Sequence, residues 1–463
     1  MRYDLLIIGM GSAGMVAAEF ASTLGVKVAV AERGRPGGDC LWTGCVPSKA
    51  LLASAKAAHT IRHADAYGLE AVGPIVDTAQ VWARMGAIQA RIAATDDNPE
   101  RFAAMGVDVL SGAARLTSPT TVRVGEQHTT RFVLLATGSR PALPPIEGLA
   151  DAGPLTSESI FALEHAPRSL VMIGGGPICV ELAQALARLG VRVSILQRGP
   201  RLLPREEPAL AERLTARLRI EGVAILTGVE ADRVTVAADG TKTVHAGERS
   251  WAAAEVFVGA GRTPNVDGLG LQELDVRIGA DGVEVDAALR TSVKSIYAAG
   301  DVVGRHHFTH AAGYEAARAV RNMFLPGTSR GAYLVPWCTF TDPELAHAGL
   351  TEAQARAEHG DGAVAVWRQD LAHSDRARTD SADEGELQIV TAKGRIVGAH
   401  VLAPAAGELI GELALAIDRR LKLADLASVV HVYPTIALAI QQVAAQASYA
   451  KAQRYRRFVR SRA

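Results

Sequence analysis

Cysteine is scarce in this chain, with four residues in 463. That count argues against a secreted scaffold held by disulfides. It suits a reducing, cytoplasmic setting, where a disulfide is more often catalytic than structural. Neither sign of charge is in excess, since lysine plus arginine equals aspartate plus glutamate at 49 each. Composition therefore gives no reason to expect nucleic acid or a membrane as a partner. No apolar run reaches the roughly 18 residues of a spanning helix. The chain opens on Tyr3-Asp4-Leu5-Leu6-Ile7-Ile8-Gly9, with no positive region, long apolar stretch or small-residue cleavage site, so no secretory signal is expected. Apolar residues, by contrast, are plentiful at 48%. The length is too great for one core, and roughly two to four domains are expected.

One pattern occurs twice. Leu5-Leu6-Ile7-Ile8 is a short apolar run suited to a buried parallel strand, and the turn Gly9-Met10-Gly11-Ser12-Ala13-Gly14 follows it. A small-residue helix, Leu24-Gly25-Val26-Lys27-Val28, and a second strand ending at Glu32 come next. The order returns with Leu170-Val171-Met172-Ile173, Gly174-Gly175-Gly176-Pro177-Ile178-Cys179, Leu189-Gly190-Val191-Arg192-Val193 and a strand ending at Gln197. Each copy reads as a βαβ dinucleotide-binding unit. Glycines of this spacing often do no more than permit a tight turn. Between a strand and a helix they also let backbone approach a pyrophosphate at a helix N-terminus. Cys179 stands where the fingerprint prefers Gly or Ala. Glu32 suits a ribose 2′-hydroxyl, so copy one fits FAD or NAD. Gln197 and Arg198, with Arg201 beyond, lack a repelling acid and offer a guanidinium fork. Copy two therefore leans to NADPH, with NADH possible, although Arg198 also reads as a solvated surface charge.

After Glu32 comes Gly37-Gly38-Asp39-Cys40-Leu41-Trp42-Thr43-Gly44-Cys45-Val46-Pro47-Ser48-Lys49. Cys40 and Cys45 can bridge if a helical turn brings their Cα atoms to about 5.5 Å. Pro47 is well placed near a helix start, which would put Cys45 where the helix dipole favours a thiolate. Zinc is the rival reading. It needs about four ligands, and no second Cys or His cluster has suitable spacing. An inert buried pair is the other alternative.

This segment resembles the disulfide signature of the class I pyridine nucleotide-disulfide oxidoreductases, which include glutathione reductase, dihydrolipoamide dehydrogenase and mercuric reductase. The resemblance runs through Leu134–Ser139, Val258–Asn265, Ile296–Asp301 and Phe340–Glu344 and covers essentially the whole chain. It implies an α/β fold of two Rossmann-like dinucleotide-binding domains plus a C-terminal α+β dimerisation domain. The expected segments are 1–145 and 266–335 for FAD, 146–265 for NAD(P) and 336–463 for dimerisation. It further implies that Cys45 lies against the flavin, that Cys40 meets the substrate, that Asp301 bonds the ribityl chain, and that Lys49 pairs with Glu181 near the flavin N5. The expected cofactor-binding set is Gly9, Gly11, Gly14, Glu32, Lys49, Ala114, Thr137, Gly138, Gly174, Gly176, Glu181, Gln197, Arg198, Gly261 and Asp301. Pro177 stands where several relatives carry an aromatic gate. No resident metal is expected.

The pattern breaks near the C-terminus. Disulfide reductases of this family use a His-Pro-Thr segment followed by Glu, contributed by the other subunit of a homodimer. Here the sequence is Tyr433-Pro434-Thr435-Ile436-Ala437-Leu438. A phenol of pKa near 10 is a poor proton shuttle, and leucine orients nothing. His431 is a possible substitute, or an ordinary packed histidine. Mercuric reductases share the tyrosine, which is assigned here as catalytic, but usually end in a further cysteine pair, and no cysteine follows Cys338. Cys179 and Cys338 read as packing residues, with soft ligands the alternative. The expected activity is FAD-dependent NAD(P)H oxidation through Cys40–Cys45 to a small-molecule or metal-ion acceptor, mercuric reductase-like. The alternatives are a small-disulfide reductase or dihydrolipoamide dehydrogenase, and a slow flavin-binding sensor or scaffold. The basic, aromatic-interleaved stretch from Lys451 to Arg462 reads as a solvated helix end.

Overall fold

The computed structural model describes residues 2–453; the basic stretch from Arg454 onward lies outside them. The chain divides into two compact units, one of residues 1–51, 77–166 and 257–332, the other of residues 52–76, 167–256 and 333–463.

The first unit is built on a seven-stranded sheet. Its order is 107–111, 28–32, 2–8, 126–135, 121–124 and 115–118, with 296–298 also pairing with 126–135. The strands 107–111, 28–32, 2–8 and 126–135 pair in parallel. Leu5, Leu6 and Ile7 are fully buried, as a strand covered on both faces requires. One cover is the helix Ser12–Thr23, whose buried face is Ala13, Ala17, Ala18 and Ala21. These alanines meet Ala312, Ala316 and Ala319 of helix Thr309–Phe324 in one core. Small residues on both faces let the helix axes approach closely.

In the second unit the strands 224–227, 192–197 and 169–173 run parallel, and 255–258 completes that sheet. A small antiparallel sheet of 233–236, 242–246 and 249–253 follows. The C-terminal region is a five-stranded antiparallel sheet in the order 337–339, 344–349, 395–403, 386–392, 364–370. The molecule thus has the expected α/β class: two Rossmann-like folds and a C-terminal α+β region. Alternation along the C-terminal strands puts Ala346, Ala348, Ile389, Ala399 and Val401 into the core shared with helices Ala406–Asp418 and Leu438–Gln453. The opposite face carries a polar row in register, Trp337, His347, His400, Gln388 and Arg368. Among the described residues no helix is long and apolar enough to cross a membrane.

A buried ionic knot holds the second unit. Arg188 binds Glu221 through Nε and Nη2, both at 2.7 Å, and Asp342 through Nη1 at 2.8 Å. Arg217 adds a 2.7 Å bond to Glu221. Burial opposes the charge on Glu221, but the two guanidiniums outweigh it and hold the carboxyl below its usual range. Arg188→Ala leaves two carboxylates without their shared cation. It should cost about 3–5 kcal/mol of stability in urea denaturation of the holoprotein. A midpoint equal to wild type would show that the knot contributes nothing.

Candidate functional site

The first glycine turn is set by steric demands that differ from one glycine to the next. Gly9 adopts φ +104°, and a Cβ there would run into the carbonyl oxygen of Ala136. A Cβ on Gly14 would strike the carbonyl oxygen of Gly9. Both are needed for the chain to make the turn at all. Gly11 is different. Its φ is −89°, and the nearest atom to an added Cβ is the Gly38 Cα at 3.7 Å. The fold alone would accept alanine there, so the missing side chain serves something that lies on the turn. Glu32 closes the turn from the next strand, accepting the Met10 N–H at 2.7 Å and the Gly34 N–H at 2.7 Å. An open backbone at a helix N-terminus with a carboxylate at the following strand end fits the pyrophosphate and ribose of a dinucleotide.

Cys40 and Cys45 occupy two helices rather than one. Cys40 is on the short helix Gly38–Trp42, and Cys45 opens helix Cys45–Arg62. Thr43-Gly44 breaks the chain between them, and a Cβ on Gly44 would meet the Asp39 carbonyl at 2.9 Å. Both cysteines are thiols in this structure, Cys45 exposed and Cys40 half-buried. They lie within hydrogen-bonding reach. The bond to Cys45, aided by burial, pushes the Cys40 thiol well above its ordinary value. The Cys45 sulfur is also 3.5 Å from the Thr309 hydroxyl, and Thr309 is the first residue of another helix. Two helix N-termini therefore converge on one sulfur. Thr309 was not legible in the sequence, being 264 positions away.

Around this pair, Asp301 Oδ2 accepts the Ser139 hydroxyl at 2.6 Å and lies 3.4 Å from Arg262 Nε. Arg262 donates to Ser139 Oγ at 2.6 Å and pairs with Asp39. Thr137 donates to the Asn265 carbonyl at 2.7 Å, and Gly138 accepts the Asn265 N–H at 3.0 Å. Gly261 takes φ +134°. The Gly138 and Gly261 segments are joined by the strand pair 139–141 and 262–264. Ala114 is buried. Lys49 lies in the second turn of the Cys45 helix.

In the second unit, Gly174 takes φ +119°. Gly176 caps helix Pro177–Arg188 at φ −81°, and nothing lies within 4 Å of a Cβ placed on it. It is the counterpart of Gly11. The Gln197 side chain lies over the turn, 2.9 Å from where a Gly175 Cβ would sit. Arg198 is exposed and only 3.4 Å paired to Glu230, a contact weak enough to exchange for an anion. Glu181 is buried and accepts the Phe340 N–H at 2.9 Å. Burial pushes the Cys179 thiol up to about 12, which suits a packing residue.

Tyr433 is exposed and donates to Asp375 Oδ2 at 3.1 Å. That bond raises its phenol above the ordinary value and makes it a still weaker acid. His431 is buried against Glu412, with Nε2 at 3.2 Å from both carboxylate oxygens. Among the described residues no group of three or more His, Cys, Asp or Glu side chains forms a metal-holding cluster.

A family model for pyridine nucleotide-disulphide oxidoreductase matches residues 3–316, and one for the dimerisation domain of that family matches residues 335–444. A mercuric reductase of Acidithiobacillus ferrooxidans is 35% identical over 93% of this chain and 80% of its own length. A dihydrolipoyl dehydrogenase of Geobacillus stearothermophilus is 34% identical over 94% of this chain and 93% of its own. Among solved structures, the HOCl-induced flavoprotein disulfide reductase RclA from Escherichia coli superposes at TM-score 0.85 with 26% identity, covering 96% of this chain and 99% of that one. Its Cu(II) complex gives TM-score 0.86.

Proposed function

This chain belongs to the pyridine nucleotide-disulphide oxidoreductases, FAD-dependent enzymes that use a pyridine nucleotide, and from that premise we propose that it passes electrons from NADPH through Cys40 and Cys45 to a soft metal ion, as a cytoplasmic homodimer. Residues 1–145 and 266–335 are assigned to FAD, 146–265 to NADPH and 336–463 to the dimer contact. Bound FAD supplies the two-electron carrier between nicotinamide and sulfur. Gly9, Gly11, Gly14 and Glu32 hold its adenosine end, and Lys49, Ala114, Thr137, Gly138 and Asp301 its remaining length. Gly174, Gly176, Gln197, Arg198 and Gly261 receive the NADPH, and Glu181 completes the cofactor-binding set.

Cys45 faces the flavin as the thiolate, favoured by the two helix N-termini around it. Cys40 meets the acceptor. One hydride equivalent converts the Cys40–Cys45 disulfide to a thiol and a thiolate. Re-forming the S–S bond returns two electrons to the acceptor and releases the thiol proton.

The observation that carries the choice of acceptor is the pair Tyr433 and Leu438. A disulfide substrate releases a thiolate that needs a proton, and neither residue supplies one readily: the Tyr433 phenol is raised and Leu438 has no titratable group. A metal ion accepts electrons without that protonation. The Cu(II) complex of the RclA neighbour supports a metal acceptor. The test is NADPH oxidation by purified holoenzyme with mercuric ion, Cu(II), quinones, glutathione disulfide and lipoamide. Turnover with metal ions well above that with either disulfide is expected, and the reverse order would overturn the proposal.

Coenzyme choice has its own test. Arg198→Ala removes the fork for a 2′-phosphate and should lower the NADPH-to-NADH ratio of kcat/KM about ten- to a hundredfold. An unchanged ratio would place the preference elsewhere.

A further inference from the structure

The segment that follows Gln197 is strained and fastened at its far end. Leu203 sits in the left-handed region at φ +49°, which a residue with a Cβ seldom adopts. Its N–H donates to the Gly175 carbonyl at 2.8 Å, which ties the segment to the second glycine turn. Three residues on, Glu206 is buried, and its Oε1 accepts the Trp337 indole N–H at 2.6 Å. Trp337 lies flat on His347, with ring centroids 3.8 Å apart and 11° between planes. The turn expected to hold the adenosine end of the coenzyme is thus moored to the polar row of the C-terminal sheet.

The hydrogen inventory of that mooring is short by one. His347 Nε2 is 2.8 Å from the Gly349 carbonyl. A carbonyl only accepts, so Nε2 carries the hydrogen, and on a neutral ring Nδ1 is then a bare lone pair. Nδ1 is 3.5 Å from Glu206 Oε2, with both side chains 2% exposed. Among the described residues neither atom has a hydrogen-bond partner elsewhere. Two buried lone pairs facing each other are repulsive and unsolvated. A proton on either atom turns that repulsion into a hydrogen bond. The other groups nearby do not provide it. The His400 ring is edge-on to His347 at 4.6 Å and is held neutral, because burial and His347 push it down to about 3. Glu207 accepts the Glu352 N–H at 3.0 Å. Glu352 in turn is paired with Arg356 and Arg368.

We propose that Glu206 and His347 share one buried proton and act, with Trp337, as positioning residues that hold the 198–205 turn in its coenzyme-binding form. The proposal rests on the reading that this turn receives the adenosine of NADPH. With that proton the pair holds the turn; without it two lone pairs face each other and the turn loosens.

The test compares steady-state kinetics of the holoenzyme with two hydride donors, NADPH and reduced nicotinamide mononucleotide, which has no adenosine. Glu206→Ala should raise KM for NADPH roughly tenfold, leaving kcat and the KM for the mononucleotide unchanged. Glu206→Gln should rescue it, since its amide oxygen accepts from Trp337 and its amide N–H donates permanently to His347 Nδ1. Its KM should match wild type. If Glu206→Ala does not fold, Trp337→Phe removes only the indole N–H and carries the same comparison. An unchanged NADPH KM in Glu206→Ala or Trp337→Phe, equal effects on both donors, or a Glu206→Gln KM as high as that of Glu206→Ala would each overturn the proposal. Arg198→Ala with unaltered NADPH KM would instead sink the reading it rests on.

Discussion

Cys45→Ser should lower NADPH oxidation with every acceptor by on the order of 10³-fold or more, the scale seen when a residue acting as part of a catalytic unit is removed. The argument is geometric. The Cys45 sulfur is the point where Thr309 and two helix starts meet, so it is the atom at which negative charge is best accommodated. Serine keeps the hydrogen bond but is not a thiolate at neutral pH and cannot form a disulfide. Anaerobic titration of the wild type with NADPH should develop a long-wavelength absorbance at two electrons. In Cys45→Ser that absorbance should be missing while bound FAD is still reduced. Spectra identical to wild type would remove Cys45 from the electron path. Cys40→Ser distinguishes the two sulfurs. Turnover should fall as far, yet the long-wavelength absorbance should persist, because the thiolate remains.

Gly11→Ala is the second large effect. A methyl group there meets no protein atom closer than 3.7 Å, and φ −89° suits alanine. The apoprotein should keep its melting temperature within a degree or two, while FAD affinity should fall by about a hundredfold as the methyl intrudes on the pyrophosphate. Gly14→Ala should behave oppositely. Its Cβ collides with the Gly9 carbonyl, so the apoprotein itself should melt lower or accumulate unfolded. The two measurements, apoprotein melting and FAD titration, separate a glycine kept for the chain from one kept for a ligand. Equal loss of stability in both variants would show that Gly11, too, serves only the turn.

Much of this was legible in the sequence for identifiable reasons. Leu5-Leu6-Ile7-Ile8 and Leu170-Val171-Met172-Ile173 are continuous apolar runs, which only a strand covered on both faces uses, and each feeds a glycine turn. The repeat of that order revealed the doubled architecture. The closeness of Cys40 to Cys45 was also readable, since the distance is set within six consecutive residues. The break at Thr43-Gly44, which puts them on separate helices, was not anticipated, because a clash between Gly44 and the Asp39 carbonyl leaves no periodic trace. Long-range partners were the least accessible. Ser139 meets Asp301 across 162 positions and Arg262 meets Asp39 across 223, and such pairings are decided by the sheet rather than by local pattern. The row from Trp337 to Arg368 was invisible for a related reason. Its members come from five separate strands, and only strand register aligns them.

The room for a methyl group at Gly11 and Gly176 separates assembly from loading. Both take backbone angles open to any residue, φ −89° and −81°, so a flavin-stripped preparation is expected to persist in a folded state long enough to be refilled. That makes the protein a candidate for exchange with synthetic flavins of graded reduction potential. A plot of turnover against those potentials would reveal whether hydride arrival or electron departure limits the rate.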